Sequence, residues 1–454
     1  MSSATLKDRV KEKVAARTEP KKSPPTPTPS KSKPPKFQAY YDSAKKTFWI
    51  ANSRGELMDV TEGSLKRWLR AQGCSNVAFL PNGLNQVDGA LLEIQHERDV
   101  HFAGPLAGYP VGENVSAGSR ILVTRGPAVL KPGPGECPTL QKYFRELFAD
   151  QVPYVFGWLK AGLASLRAGP PWRPGQMLAV AGPAGAGKSL FQSLVTEVFG
   201  GRVAKPYRYL IGETAFNSEL FGAEHLAIED EAASTDLRTR RHFGSQIKNL
   251  IVNEVQSFHA KGRQALGLTP FWRVSVTLND EAENLMVLPP LDDSLRDKVL
   301  LLKAGMPNFP FDADGLEERK AFRERLTKEL PAFLAFLSNW RIPDKLKDKR
   351  YGVKAFQHPD LIRELDSLAP EYRLLAMIEN SGIWNSILPC WVGTALALET
   401  ELRKEDKTGE GNRVFTFSSA CGVYLGRLMQ KFPERFTQER GAGNTTVWTI
   451  KRKD

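Results

Sequence analysis

Long apolar runs are missing from this sequence of 454 residues: no uninterrupted stretch approaches a membrane span. The N-terminal "MSSATLKDRVKEKVAARTEPKK" is charged throughout and lacks the apolar centre of a secretory signal. A cytoplasmic chain with no membrane partner is therefore expected. Cysteine is scarce. Cys74, Cys137, Cys390 and Cys421 form no C-x-x-C pair, which excludes a zinc ribbon and a disulfide framework and fits a reducing compartment. His96 and His101 lie among Glu93, Glu97 and Asp99, but without a metal-ligand spacing. No internal repeat is present. Negative charge is also short: 63 Lys and Arg face 51 Asp and Glu, a net charge of +12, which favours a polyanionic partner.

What is present divides into four regions. Residues 1–36, with "KKSPPTPTPSKSKPPK", have almost nothing to bury and read as a disordered basic tail. Residues 38–135 read as a small α+β module: "FQAYYDSAKKTFWIAN" alternates as a strand pair, and "SLKRWLRAQG" has helical spacing with a glycine stop. Residues 138–340 begin with two striped helices and continue as an α/β core. Residues 365–454 form a C-terminal module in which three helical stretches precede "FTQERGAGNTTVWTI", a two-strand turn. That order predicts a winged helix, with Tyr424, Arg427, Gln430 and Lys431 on its recognition helix and Arg440 and Asn444 on its wing.

The chemistry concentrates in "LAVAGPAGAGKSLFQSL". Gly182, Pro183, Ala184, Gly185, Ala186, Gly187, Lys188 and Ser189 satisfy G-x-x-x-x-G-K-[ST] between an apolar strand and a helical stretch. Glycines let backbone N–H groups face phosphate oxygens, and the helix N-terminus adds partial positive charge. Lys188 would bridge the β- and γ-phosphates, and Ser189 would ligate Mg²⁺. The expected cofactors are ATP and Mg²⁺. A second apolar strand runs into Glu229, Asp230 and Glu231, from which Asp230 is expected at the metal and Glu231 as the base; the sequence also allows a shift by one residue, to Glu229 and Asp230. A third strand, "FWRVSVTLND", ends in Asn279, an amide suited to sensing the γ-phosphate. Arg296 precedes a fourth apolar strand, where an arginine can reach a neighbouring subunit's nucleotide. Between these strands, "VQSFHAKGRQAL" reads as a hairpin with His259, Lys261 and Arg263 around Gly262, a basic tip fit to contact a phosphate backbone.

Phosphate loop, acidic strand, basic hairpin, strand ending in asparagine, then arginine: this order resembles the superfamily 3 helicases of the AAA+ class, and within them the primase-helicases of phages, plasmids and large DNA viruses. The resemblance covers about residues 140–305. It implies an ATP-dependent helicase acting on single-stranded or forked DNA as a homo-hexameric ring, in a bacterial host or a virus-infected cell. It also implies that Gly182 to Ser189 bind ATP, Asp230 and Glu231 serve metal and water, Asn279 senses the γ-phosphate and Arg296 acts across the interface. The triplet "EDE" departs from a simple acidic pair. Residues 38–135 carry no primase signature.

Overall fold

The computed structural model describes residues 38–229, 237–262, 264–308, 315–367, 369–384, 390–407, 409–441 and 445–452. Strands β1 (Ala39–Asp42), β2 (Thr47–Ala51) and β3 (Leu57–Val60) form an antiparallel meander. Helix α1 (Glu62–Ala71) follows, capped by the Thr61 hydroxyl on the Ser64 N–H, with Glu62 in the first turn and Arg70 in the last. Helix α2 (Gln86–Glu97) is capped in the same way by Asn85 on Asp88. Leu65, Leu69, Val87, Ala90 and Ile94 of these helices bury Phe48 and Ile50 on one face of the sheet. Strand β4 (Asp99–Val100) then adds parallel to β1.

The core changes at this point. Strands β5 (Phe102–Gly104), β6 (Gly112–Ser116) and β7 (Ser119–Val123) make a separate three-stranded sheet. Its Phe102, Ile121 and Val123 belong to the core of the central domain. Residues 38–135, expected as one module, are therefore divided between two cores.

Helices α3 (Pro138–Phe148) and α4 (Val152–Ala168) lead into a five-stranded sheet of order β14-β8-β13-β10-β9. Its strands are β8 (Met177–Ala181), β9 (Val203–Ala204), β10 (His225–Glu229), β13 (Arg273–Leu278) and β14 (Val299–Lys303), and every pairing is parallel. All five residues of β8 are buried, as expected for a parallel strand covered on both faces. On one face lie α3, α4, α5 (Lys188–Val198) and the long α7 (Leu316–Asn339). Phe144 stacks on Phe333 at 5.1 Å and meets Phe191 edge-on at 6.0 Å, so α3 is wedged between α7 and α5. Burying such a ring contributes about 1.5–3 kcal/mol. The other face carries the β5–β7 sheet, α6 (Leu237–Val252) and a hairpin of β11 (Gln256–Phe258) and β12 (Leu266–Leu268).

Helix α8 (Pro359–Ser367) ends the central domain through buried Leu361. In the C-terminal module, α9 (Pro370–Glu379), α10 (Ala395–Glu405) and α11 (Ala420–Lys431) share one core with the strands β15 (Cys390–Thr394), β16 (Phe436–Arg440) and β17 (Thr446–Lys451). Strands β16 and β17 pair antiparallel, Arg440 facing Thr446, and the turn expected between them, residues 442–444, lies outside the described residues. Strand β15 adds a third strand on the free edge of β17.

Candidate functional site

The loop after β8 lies at the C-terminal edge of the parallel sheet, where ligands of open α/β sheets bind. Gly182 is required by contact: a Cβ there would stand 2.6 Å from the Ala304 carbonyl oxygen. Gly187 is required by conformation, since its φ of 88° lies in the left-handed region. Gly187 caps α5 without a side chain, so no side chain caps the first-turn N–H groups. Lys188 is 8% exposed, and its Nζ donates to the carbonyls of Gly182 and Pro183, both at 2.8 Å, and to Asn279 Oδ1 at 3.0 Å. The lysine thus joins the loop to the tip of β13. Ser189 is exposed beside it. Glu229 ends β10, half-buried; Asp230 and Glu231 lie outside the described residues.

Four further residues act on this site, and none was singled out by spacing. Tyr143 of α3 donates its hydroxyl to the Gly187 carbonyl at 2.9 Å. Burial pushes that phenol well above its ordinary value, so it stays a donor. Gln192, one turn along α5 from Lys188, donates to the Ile228 carbonyl at 3.1 Å and to Ser275 Oγ at 2.9 Å, and accepts from Thr277 at 3.0 Å. It therefore ties α5 to both the acidic strand and the asparagine strand. His225 extends this buried network, with Thr196 at 2.7 Å on Nδ1 and Ser275 at 2.7 Å on Nε2. Burial lowers its pKa to about 3, which keeps the ring neutral. Glu281, two residues beyond Asn279, is held below the ordinary carboxylate range by its own N–H and by Asn284, with Lys188 adding its charge.

The hairpin projects from the same domain. Phe258 anchors its base between Phe102 and Phe221, at 5.2 Å from each ring. Buried Asn217 pins the base further: its amide donates to the Ser257 carbonyl at 2.8 Å, and its Oδ1 accepts from the His259 N–H at 2.7 Å. His259 and Lys261 are exposed at the tip, which turns on Gly262 at φ 73°. Arg263 lies outside the described residues.

Arg296 is exposed just before β14. Because Val299 pairs with Met177 in parallel register, Arg296 occupies the N-terminal edge of the sheet and the glycine loop after β8 the opposite edge. Five strand residues separate the two edges, about 16 Å at ~3.3 Å per residue. The structure does not bring Arg296 to its own chain's loop.

In the C-terminal module, Tyr424 is buried. Arg427 pairs with Glu371 at 3.1 Å; Lys431 pairs with the same carboxylate at 3.4 Å and lies over the Tyr372 ring at 4.1 Å. Glu371 of α9 thus draws both cations of α11 inward. Gln430 and Arg440 remain exposed, and Asn444 lies outside the described residues. Among the described residues, no group of three or more His, Cys, Asp and Glu side chains is placed to hold a metal ion, so His96 and His101 belong to none. No helix among them is long and apolar enough to cross a membrane.

Residues 180–296 match a sequence family described as a family of unknown function, DUF5906. No curated protein matches the chain. Among solved structures, the chain is similar to the A form apo structure of the NrS-1 C-terminal region, with 13% identity, a TM-score of 0.53, and coverage of 91% of this chain and 96% of that one. A second apo structure of that region gives 12% identity and a TM-score of 0.54 at the same coverage. At these identities the likeness is one of fold. The X-ray structure of JCV helicase aligns with 46% of this chain and 56% of its own at 12% identity; its TM-score of 0.26 carries no argument.

Proposed function

We propose that this chain is an ATP hydrolase of the AAA+, superfamily 3 type that moves along DNA and separates its strands during replication of a phage or mobile element. The observation that carries the reading is the lysine bridge: Lys188 joins the glycine loop to Asn279, so binding of a γ-phosphate between them would be felt at once by β13. The loop N–H groups hold phosphate oxygens, and Lys188 exchanges its carbonyl partners for them. Ser189, Glu229 and the following acids offer the all-oxygen donor set that Mg²⁺ prefers. Mg²⁺ held by these groups would supply positive charge to the phosphates. Glu231 orients and deprotonates water, with Asp230 at the metal; Glu229 and Asp230 are the shifted assignment. Arg296, on the far edge of its own sheet, serves the nucleotide of the next subunit, which requires a ring; six subunits are proposed from the family resemblance.

The hairpin supplies the contact with DNA. His259 and Lys261, and Arg263 beyond the turn, grip phosphates regardless of base sequence. A second reading is favoured by one observation. Arg427 and Lys431 are engaged by Glu371, so the C-terminal module, which we take as a winged helix, would contact DNA through Gln430 and Arg440 unless those pairs open. In that reading the ATPase is a switch for assembly on DNA. Strand displacement on a forked duplex with ATP separates the two: a motor releases the strand, and a switch binds the fork without opening it.

A further inference from the structure

The hairpin is preceded by α6, whose sequence "LRTRRHFGSQIKNLIV" holds four Lys and Arg and no acid. Its buried side is Phe243, Ile247 and Ile251. Its exposed side runs through Arg241, Ser245 and Lys248. Arg241 and Lys248 are seven residues apart and stand on one line of the helix, about 10 Å along the axis at ~1.5 Å per residue. Each lacks an ion-pair partner among the described residues. Arg240 belongs to another face: it is half-buried and donates to the Leu288 carbonyl at 3.1 Å. Glu254 is the one acid between Leu237 and Gly262.

The helix and the hairpin form one surface. Gln256, the first residue of β11, donates to the carbonyls of Asn249 at 3.0 Å and Asn253 at 2.8 Å, which folds the hairpin's first strand against the C-terminal turn of α6. On its inner side, α6 is clamped to the segment that leads into Arg296. Arg240 holds Leu288, and a Cβ on Gly244 would stand 2.9 Å from Leu295 and 3.1 Å from Pro289.

We propose that Arg241 and Lys248 extend the nucleic-acid contact beyond the hairpin tip, so that the phosphate backbone of a single strand lies along α6 before it reaches Lys261. The partner is a polyanionic strand because the exposed face of α6 carries Arg241 and Lys248 and no acid, lies beside the basic tip, and is too polar to bury against an apolar surface. This rests on the reading above that the chain acts on DNA. Contact along α6 would also bear, through Leu288 to Leu295, on the position of Arg296.

The test uses the full chain and a fluorescent oligothymidine, with affinity measured over a range of salt. The variant Arg241→Gln/Lys248→Gln should bind several-fold more weakly, and the slope of log affinity against log salt should fall by about 1.4, since each phosphate contact to a single strand contributes about 0.7. The charge-keeping variant Arg241→Lys/Lys248→Arg should restore both. Equal thermal melting of the parent and both variants guards against loss of fold, and the two single Gln variants, each lowering the slope by about 0.7, replace the double variant if it melts early. An unchanged slope and affinity would overturn the proposal. So would a changed oligomeric state with an unchanged slope, which would assign the stripe to an acidic face of a second copy. A parent chain that binds no oligothymidine would instead remove the DNA reading itself, and this proposal with it.

Discussion

Lys188 Nζ donates to Asn279 Oδ1 at 3.0 Å, across 91 residues of sequence. The contact joins the two elements expected to meet the γ-phosphate, and it gives a buried ammonium an acceptor. Lys188→Ala removes the charge from the loop. A charge-assisted hydrogen bond is worth about 1.5–3 kcal/mol, so nucleotide affinity should fall about tenfold or more and hydrolysis should cease. Equilibrium binding of a fluorescent ATP analogue and phosphate release check this. Glu231→Gln should instead keep ATP bound and stall turnover; the same behaviour in Asp230→Asn or Glu229→Gln would shift the assignment toward Glu229.

Tyr143→Phe keeps the ring in its cluster and deletes one hydrogen bond to the Gly187 carbonyl, which still accepts the Phe191 N–H at 3.0 Å. The loss of a neutral bond worth about 0.5–1.5 kcal/mol should loosen the loop and raise KM for ATP about two- to tenfold, with kcat retained. A purely structural tyrosine would lower the melting temperature and leave KM where it was.

His225 gives a pH dependence of known sign. Its folded pKa, about 3, lies below the ordinary 6.5. Between these values the unfolded chain binds a proton that the native chain refuses, so this group's contribution to stability is complete above pH 6.5 and is lost as pH falls. The loss approaches about 1.4 kcal/mol per pH unit. Urea midpoints at pH 7 and pH 5 should differ more in the parent than in His225→Gln. Equal differences would mean that this ring does not drive the effect.

The position of Arg296 on the far edge of the sheet predicts complementation. Arg296→Ala subunits keep an intact phosphate loop, and Lys188→Ala subunits keep an intact arginine. Each alone should be inactive in ATP hydrolysis, and mixtures should recover a fraction of parental turnover that peaks near equal proportions. Mixtures that stay inactive at every ratio would oppose a shared site.

The loop, the strands and the hairpin were legible because their signals are local. Eight consecutive residues carry the G-x-x-x-x-G-K-[ST] pattern of the glycine loop, and an apolar run or a glycine turn is read within one window. Tyr143 and Asn217 were not legible for a physical reason. Each acts through a contact across 40 or more residues, Tyr143 to Gly187 and Asn217 to Ser257, and Tyr143 sits on a stripe whose spacing says only that it is buried. The division of residues 38–135 between two cores was hidden in the same way, since Phe102 and Ile121 are apolar residues that either core could bury. In the C-terminal module the helical periodicity located α11 correctly. It gave no sign that Glu371, on another helix, would draw Arg427 and Lys431 inward.

The central claim, that ATP hydrolysis at Lys188 is coupled to DNA through the basic hairpin, is tested most directly by strand displacement from a forked duplex, with ATP hydrolysis measured in the same samples. The parent should release the strand only with ATP, and DNA should stimulate its hydrolysis. His259→Ala/Lys261→Ala should lose displacement and DNA stimulation together. A double variant that unwinds and responds to DNA as the parent does would contradict the account.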